Sequence, residues 1–194
     1  MWIDPFHFVS SPPVETHSVL SSVLAIVSSV LCAAGLVVAT VSALRTPGAF
    51  RSEAVSDELK KGLELRIELS SKLFDLGLLL LGVLWGFVLA EKETIHLSRW
   101  QDGVLFISSN LLLLTSLLSH LIYRLHLANA VWDLAVPPTP PPAPAVAPAF
   151  TPRLPSIRDS YIEFPFKVQW SLFFLGLLSG LCTIWVVKVL GGSS

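Results

Sequence analysis

The sequence predicts an all-α integral membrane protein, with four transmembrane helices in an up-down bundle and a proline-rich loop between the third and fourth. Two observations carry this. Charged residues make up 14% of the 194, against about 25% in soluble domains, while apolar residues reach 53%. The second is the length of the uncharged runs. Ser18 to Leu44 has 27 residues without Asp, Glu, Lys or Arg, Gly103 to Tyr123 has 21, and Val168 to Val187 has 20. At about 1.5 Å per residue each crosses the roughly 30 Å hydrocarbon layer. With 13 basic against 14 acidic residues the chain has no electrostatic footprint for nucleic acid.

The elements follow in order. Residues 1–17 read as an outer interfacial tail, since Trp2, Phe6 and Phe8 sit among Pro5, Pro12 and Pro13. Residues 18–44 form the first span, retained rather than cleaved as a signal. The tail before it carries Asp4 and Glu15 but no Lys or Arg, and the apolar run exceeds a signal's ~7–15 residues. Residues 45–72 are expected to be a cytoplasmic loop and a charged amphipathic helix capped by Ser52. Glu68 to Lys72 attracts along that helix, and Glu64 to Glu68 repels. A solvated helix face is its plainest reading, and a partner-docking face is the alternative.

The second span needs more argument. Leu76 to Ala90 has only 15 uncharged residues, about 22 Å of helix. Extending it to residues 73–90 places Asp75 near the membrane edge. A short outer loop, residues 91–102, makes the next span (103–125) its antiparallel neighbour. Residues 126–166 then hold nine prolines between Pro137 and Pro155, which favour extended polyproline II. This stretch reads as a spacer or as a ligand for an aromatic-lined groove. Tyr161, Phe164 and Phe166 mark an interfacial approach to the last span, residues 167–190.

Basic residues orient the chain. Ten of the thirteen (Arg45, Arg51, Lys60, Lys61, Arg66, Lys72, Arg124, Arg153, Arg158 and Lys167) lie in or beside the first and third loops. Both termini are therefore expected on the non-cytoplasmic side. A bacterial inner membrane fits best, with organellar and secretory-pathway membranes as alternatives.

No CxxC, HExxH, GxSxG or phosphate-cradling glycine loop occurs, so an enzyme is not expected. Cys32 and Cys182 read as small apolar residues. The strongest internal pattern is small residues at helix spacing. Ser21, Ala25, Ser29 and Ala33 repeat every four residues, and Gly82 with Gly86 and Gly176 with Gly180 form GxxxG pairs. Such faces let helix backbones approach closely in lipid.

The third span adds a polar stripe of Asp102, Ser109, Ser116, His120 and Tyr123, with Ser108, Thr115 and Ser119 alongside. Polar groups in hydrocarbon need partners, so the stripe is expected to bond to other helices or to line a water path. Depth arithmetic brings Asp75 and His120 to similar height, about 22 and 25 Å from the outer end, as an intramembrane polar pair. It is a structural hydrogen bond or a proton relay.

No cofactor is predicted. A single axial haem or pigment ligand at His120 is the one alternative, because His126 is expected at the surface and no second intramembrane His exists. An outer metal cluster of His7, His17 and His96 with Asp4, Glu93 or Asp102 is not expected, since nothing in the spacing gathers them. The partners implied are the lipid bilayer and other membrane protein subunits or a second copy. These readings converge on a non-catalytic polytopic subunit or scaffold that packs through small-residue faces. The alternative is a homo-oligomeric channel or small-solute or proton transporter lined by the third-span stripe.

Overall fold

The computed structural model describes residues 14–45, 52–90, 100–135, 153–156 and 159–186. Nearly all of them lie in four helices: α1 (Val14–Leu44), α2 (Asp57–Ala90), α3 (Trp100–Ala135) and α4 (Ser160–Trp185). Each is long and apolar enough to cross a membrane. The expected interfacial tail up to residue 13, most of the outer loop and the proline-rich stretch 136–152 lie outside the described residues.

The helices run past the hydrophobic spans. α2 has 34 residues, about 51 Å, so the amphipathic helix and second span anticipated as separate elements are one rod. Nothing between Glu68 and Leu73 breaks it. Ser71 Oγ bonds back to the Ile67 carbonyl at 3.0 Å, and Glu68 pairs with Lys72 at 2.6 Å. Its cap is Ser56 rather than Ser52: the Leu59 N–H donates to Ser56 Oγ at 3.1 Å. α3 likewise continues to Ala135, ten residues beyond the expected end.

α4 starts at Ser160 instead of residue 167, because the Asp159 carboxylate caps it by accepting from the Tyr161 N–H at 2.8 Å. Pro165 lies inside the helix and offers no N–H to the Tyr161 carbonyl four residues back. That carbonyl accepts from His126 Nδ1 instead, at 3.2 Å. The imidazole also stacks on the Tyr161 ring at 4.0 Å. His126 is thus buried, only 3% exposed, which corrects its expected surface position.

The helix ends beside the first and third connections carry a layer that hydropathy does not reveal. β1 (Ser52–Ala54) pairs antiparallel with β2 (Arg153–Pro155), Ser52 opposite Pro155 and Ala54 opposite Arg153. This ribbon ties the first connection to the third. Beside it Leu59, Leu63, Tyr123, Leu127, Ala130, Tyr161 and Ile162 form an apolar cluster, with Leu154 of β2 packed against it. At the foot of α1, Arg45 donates to the Ser160 carbonyl at 3.2 Å and sits 4.5 Å over the Phe164 ring.

α3 is the central helix, packed along α1 and α4 and, less extensively, α2. α1 meets its neighbours through a seam of small residues only: Ser21, Ala25, Ser28, Cys32, Gly35, Ala39 and Ser42 are buried. Their spacing alternates four and three. A strict four-residue repeat drifts about 40° per step at 100° per residue, whereas the mixed repeat stays on one face of a supercoiled helix. Ser21 and Ala25 therefore face inward, but Ser29 is half-buried with its hydroxyl on the Ala25 carbonyl at 2.8 Å, and Ala33 is exposed. A Cβ at Gly35 would meet Leu172 at 2.5 Å.

The seam's register can be tested directly. Ala25→Leu is expected to cost about 1–3 kcal/mol through overpacking. Ala33→Leu should stay within about 0.5 kcal/mol of the parent. Unfolding in detergent reads both, and equal effects would rule out the register.

Candidate functional site

The polar residues of α3 gather into two layers. The first layer joins α2, α3 and α4 around Gln169, which is fully buried. Its Nε2 donates to the Ser70 carbonyl at 2.9 Å, and its Oε1 accepts from Ser70 Oγ at 2.5 Å. Ser116 Oγ donates to the Gln169 carbonyl at 2.9 Å. Ser70 Oγ also lies 2.8 Å from His120 Nδ1.

These contacts fix every proton. The Ser70 carbonyl can only accept, so the amide nitrogen of Gln169 must face it. Gln169 Oε1 then accepts the single hydroxyl proton of Ser70. His120 must in turn donate from Nδ1 to Ser70 Oγ. Phe74 packs on the imidazole with centroids 4.8 Å apart.

The second layer joins α1, α3 and α4. Ser28 Oγ and Ser179 Oγ are 2.7 Å apart, Ser109 Oγ and Ser179 Oγ 2.9 Å, and Ser109 Oγ and Thr183 Oγ1 3.1 Å. Ser109 donates to the Leu105 carbonyl and Thr183 to the Ser179 carbonyl. The protons then run from Ser28 to Ser179 and from Ser179 to Ser109. Thr115 and Ser119 bond back along α3, at 2.6 and 2.9 Å.

Ser109 and His120 are eleven residues apart, about 16 Å along α3. Within it, buried leucines stand between the polar residues Asn110 and Thr115. Leu112 packs with Leu172, and Leu113 with Phe173, all of them buried. The stripe is thus two islands of hydrogen bonds separated by leucine and phenylalanine.

The other anticipated residues fall as follows. Asp75 is exposed, and the imidazole bonds to Ser70 rather than to that carboxylate. Asp102 is half-buried near the start of α3, where neighbouring Gln101 donates to Ser22 of α1 at 3.3 Å. Tyr123 is fully buried in the cluster beside the two-stranded ribbon, its hydroxyl without a hydrogen-bond partner among the described residues.

The two glycine pairs separate. At Gly176 a Cβ would stand 2.9 Å from Leu113 Cδ2 and 3.1 Å from its backbone nitrogen, and at Gly180 it would touch Leu84 at 3.4 Å. Gly82 and Gly86 have nothing within 4 Å and are exposed. Among the described residues no group of three or more potential ligands could hold a metal ion. His7 and His96 lie outside them.

Ser70 and Gln169 were not singled out by sequence. Gln169 had a signal, as the lone carboxamide in the last uncharged run, because such a group in hydrocarbon requires a partner on another helix. Ser70 had none, since it stands in the charged stretch read as a separate helix.

Hydrogen bonds between membrane helices average about 0.6 kcal/mol and reach about 1.7. A double-mutant cycle of Ser70→Ala with Gln169→Leu is expected to give a coupling in that range. Asp75→Asn should leave stability within about 0.5 kcal/mol. Unfolding in detergent measures both, and a larger loss from Asp75→Asn than from Ser70→Ala would overturn the assignment. Comparison with protein-family models, with curated proteins and with solved structures found no match.

Proposed function

We propose that this chain is a non-catalytic subunit or scaffold of a membrane assembly, an up-down four-helix bundle with both termini on the non-cytoplasmic side. It docks on neighbouring membrane proteins, or on a second copy, through the Gly82–Gly86 face of α2. The observation that carries the reading is the contrast among the glycines. Gly35, Gly77, Gly176 and Gly180 each have a leucine side chain within 4 Å of where a Cβ would stand, whereas Gly82 and Gly86 face open space.

Glycine in a helix interior costs about 0.8–1.0 kcal/mol relative to alanine. Close approach by Leu113 offsets this at Gly176, and nothing among the described residues does so at Gly82 and Gly86. In lipid, where no hydrophobic force draws helices together, a bare backbone stretch supplies the close packing that associates them. The hydrogen-bonding of the α3 stripe supports the same reading over a stripe-lined channel or transporter. Ser109 and Ser116 are hydrogen-bonded to α4, Thr115 and Ser119 bond back along α3, and Leu112, Leu113, Leu172 and Phe173 pack between the two polar layers.

The test is the mass and composition of the particle extracted from its native membrane in mild detergent. A fixed ratio with other polypeptides, or a closed oligomer, is expected. Replacing both Gly82 and Gly86 with Leu should dissociate it while the thermal stability of the isolated chain holds or rises. Gly176→Leu should instead destabilise the chain itself, by about 1–3 kcal/mol or more. A parent protein that extracts only as a lone monomer would sink the proposal.

A further inference from the structure

Where α3 leaves the hydrocarbon layer it exposes a surface that the bundle does not use. Asp102 and Arg124 are 22 residues apart, about 33 Å of helix, so they bracket the roughly 30 Å apolar layer and put Arg124 at its cytoplasmic edge. Past Arg124 the helix runs on to Ala135. There an open groove of about 700 Å³ is lined by Ile67 of α2 and by Arg124, Leu125, Leu127, Ala128, Val131 and Trp132 of α3. Leu125 is 60% exposed and Trp132 73%. Trp132 is eight residues, about 12 Å, past Arg124 and so beyond the reach of bulk lipid tails, and water is a poor solvent for its ring.

Arg124 is exposed, and no carboxylate among the described residues pairs with it. Arg66 and Arg124 both lie within electrostatic reach of the buried Tyr123 hydroxyl, so two guanidinium groups flank this corner of the molecule. An occupant must therefore bring apolar surface and an anion together, at headgroup depth. A small soluble anion would satisfy Arg124 and leave the apolar walls uncovered. A zwitterionic lipid would cover the walls and bring no net charge.

We propose that this groove binds an anionic phospholipid of the cytoplasmic-side leaflet, its phosphate on Arg124, its headgroup along Ala128 toward Trp132, and its glycerol and upper acyl chain along Ile67 and Leu125 at the membrane edge. Tryptophan favours that depth because its ring is apolar and its N–H polar. Basic residues beside an anionic leaflet add the electrostatic attraction. The site is separate from the Gly82–Gly86 face, so it stands or falls independently of the assembly proposed above.

The experiment uses the full-length purified chain in nanodiscs of phosphatidylcholine alone and of an equimolar mixture with phosphatidylglycerol of the same acyl chains. Lipid retained after transfer to detergent is counted by native mass spectrometry. Phosphatidylglycerol should be retained in preference to phosphatidylcholine, and Arg124→Gln should reduce its relative affinity about fivefold or more. Trp132→Ala should weaken retention of both lipids. Lys60→Gln, a charge change on the same side outside the groove, should leave the preference intact, and circular dichroism checks that each variant folds. Equal losses in Arg124→Gln and Lys60→Gln would mean diffuse surface attraction and overturn the site. So would protection by inorganic phosphate alone, or a co-purifying polypeptide cross-linked to Trp132 in place of lipid.

Discussion

The structure depends on one constraint: a hydroxyl, imidazole or carboxamide in hydrocarbon has no water to bond and must find a partner inside the protein. α3 carries six serine, threonine and histidine residues from Ser108 to His120, and each that bonds another helix fixes where that helix stands. Ser109 holds α4 through Ser179, which in turn holds Ser28 of α1. His120 holds Ser70 of α2, and Gln169 of α4 closes the same knot. Leucine in lipid-exposed helices is indifferent to its neighbour, so the polar layers give register that apolar packing alone would leave loose. The small seam of α1 is their counterpart. By removing bulk it brings the α1 backbone close enough for Ser28 to reach Ser179.

At the end of the bundle that carries the ribbon the same accounting is solved by a proline. Pro165 withholds one helical N–H, and the carbonyl it leaves free receives His126 from α3. The bond lies where the charged extensions of α2 and α3, the start of α4 and the two-stranded ribbon meet. A helix imperfection thereby joins the membrane layer to the layer above it. Arg45 uses another carbonyl of the same turn, that of Ser160. The start of α4 is thus tied to both α1 and α3, which explains why it begins seven residues before the apolar run does.

Hydropathy made the four helices legible, because bilayer thickness imposes a length on any uncharged run that crosses it. It did not reveal their true ends, since nothing in the bilayer stops a helix that carries its own salt bridges and caps into water. Lys72 and Glu68 extended α2 in this way, and Ser56 rather than Ser52 terminated it. The polar stripe was legible from residue type, and its partners were not. Depth arithmetic puts Asp75 near His120 in height, but azimuth decides contact: Ser70, five residues earlier, points inward while Asp75 points out. The repeat in α1 was visible, yet its period was read as four, and the error moved Ser29 and Ala33 off the seam. The ribbon was beyond reach, because three-residue strands flanked by proline carry no alternation to detect.

α2 is the helix on which the proposed assembly turns, and its place in the fold is what fits it for that role. Only 17% of its membrane window is buried within the chain, against 61% for α3. It is held at Ser70, at Gly77 beneath Leu117, and at Leu84 against Gly180, all on one face. The opposite face is left to lipid or to a partner. Lipid would be served equally well by leucine at every exposed position, as Leu78, Leu79 and Leu89 illustrate. Two glycines one turn apart on that face expose backbone, lower helix propensity and gain nothing from acyl chains. They gain from a second helix whose backbone can approach to the distance that Leu113 reaches at Gly176. A helix pinned by one buried polar knot and a few leucine contacts can present such a face without disturbing the α1–α3–α4 core, whose own small residues are already in use.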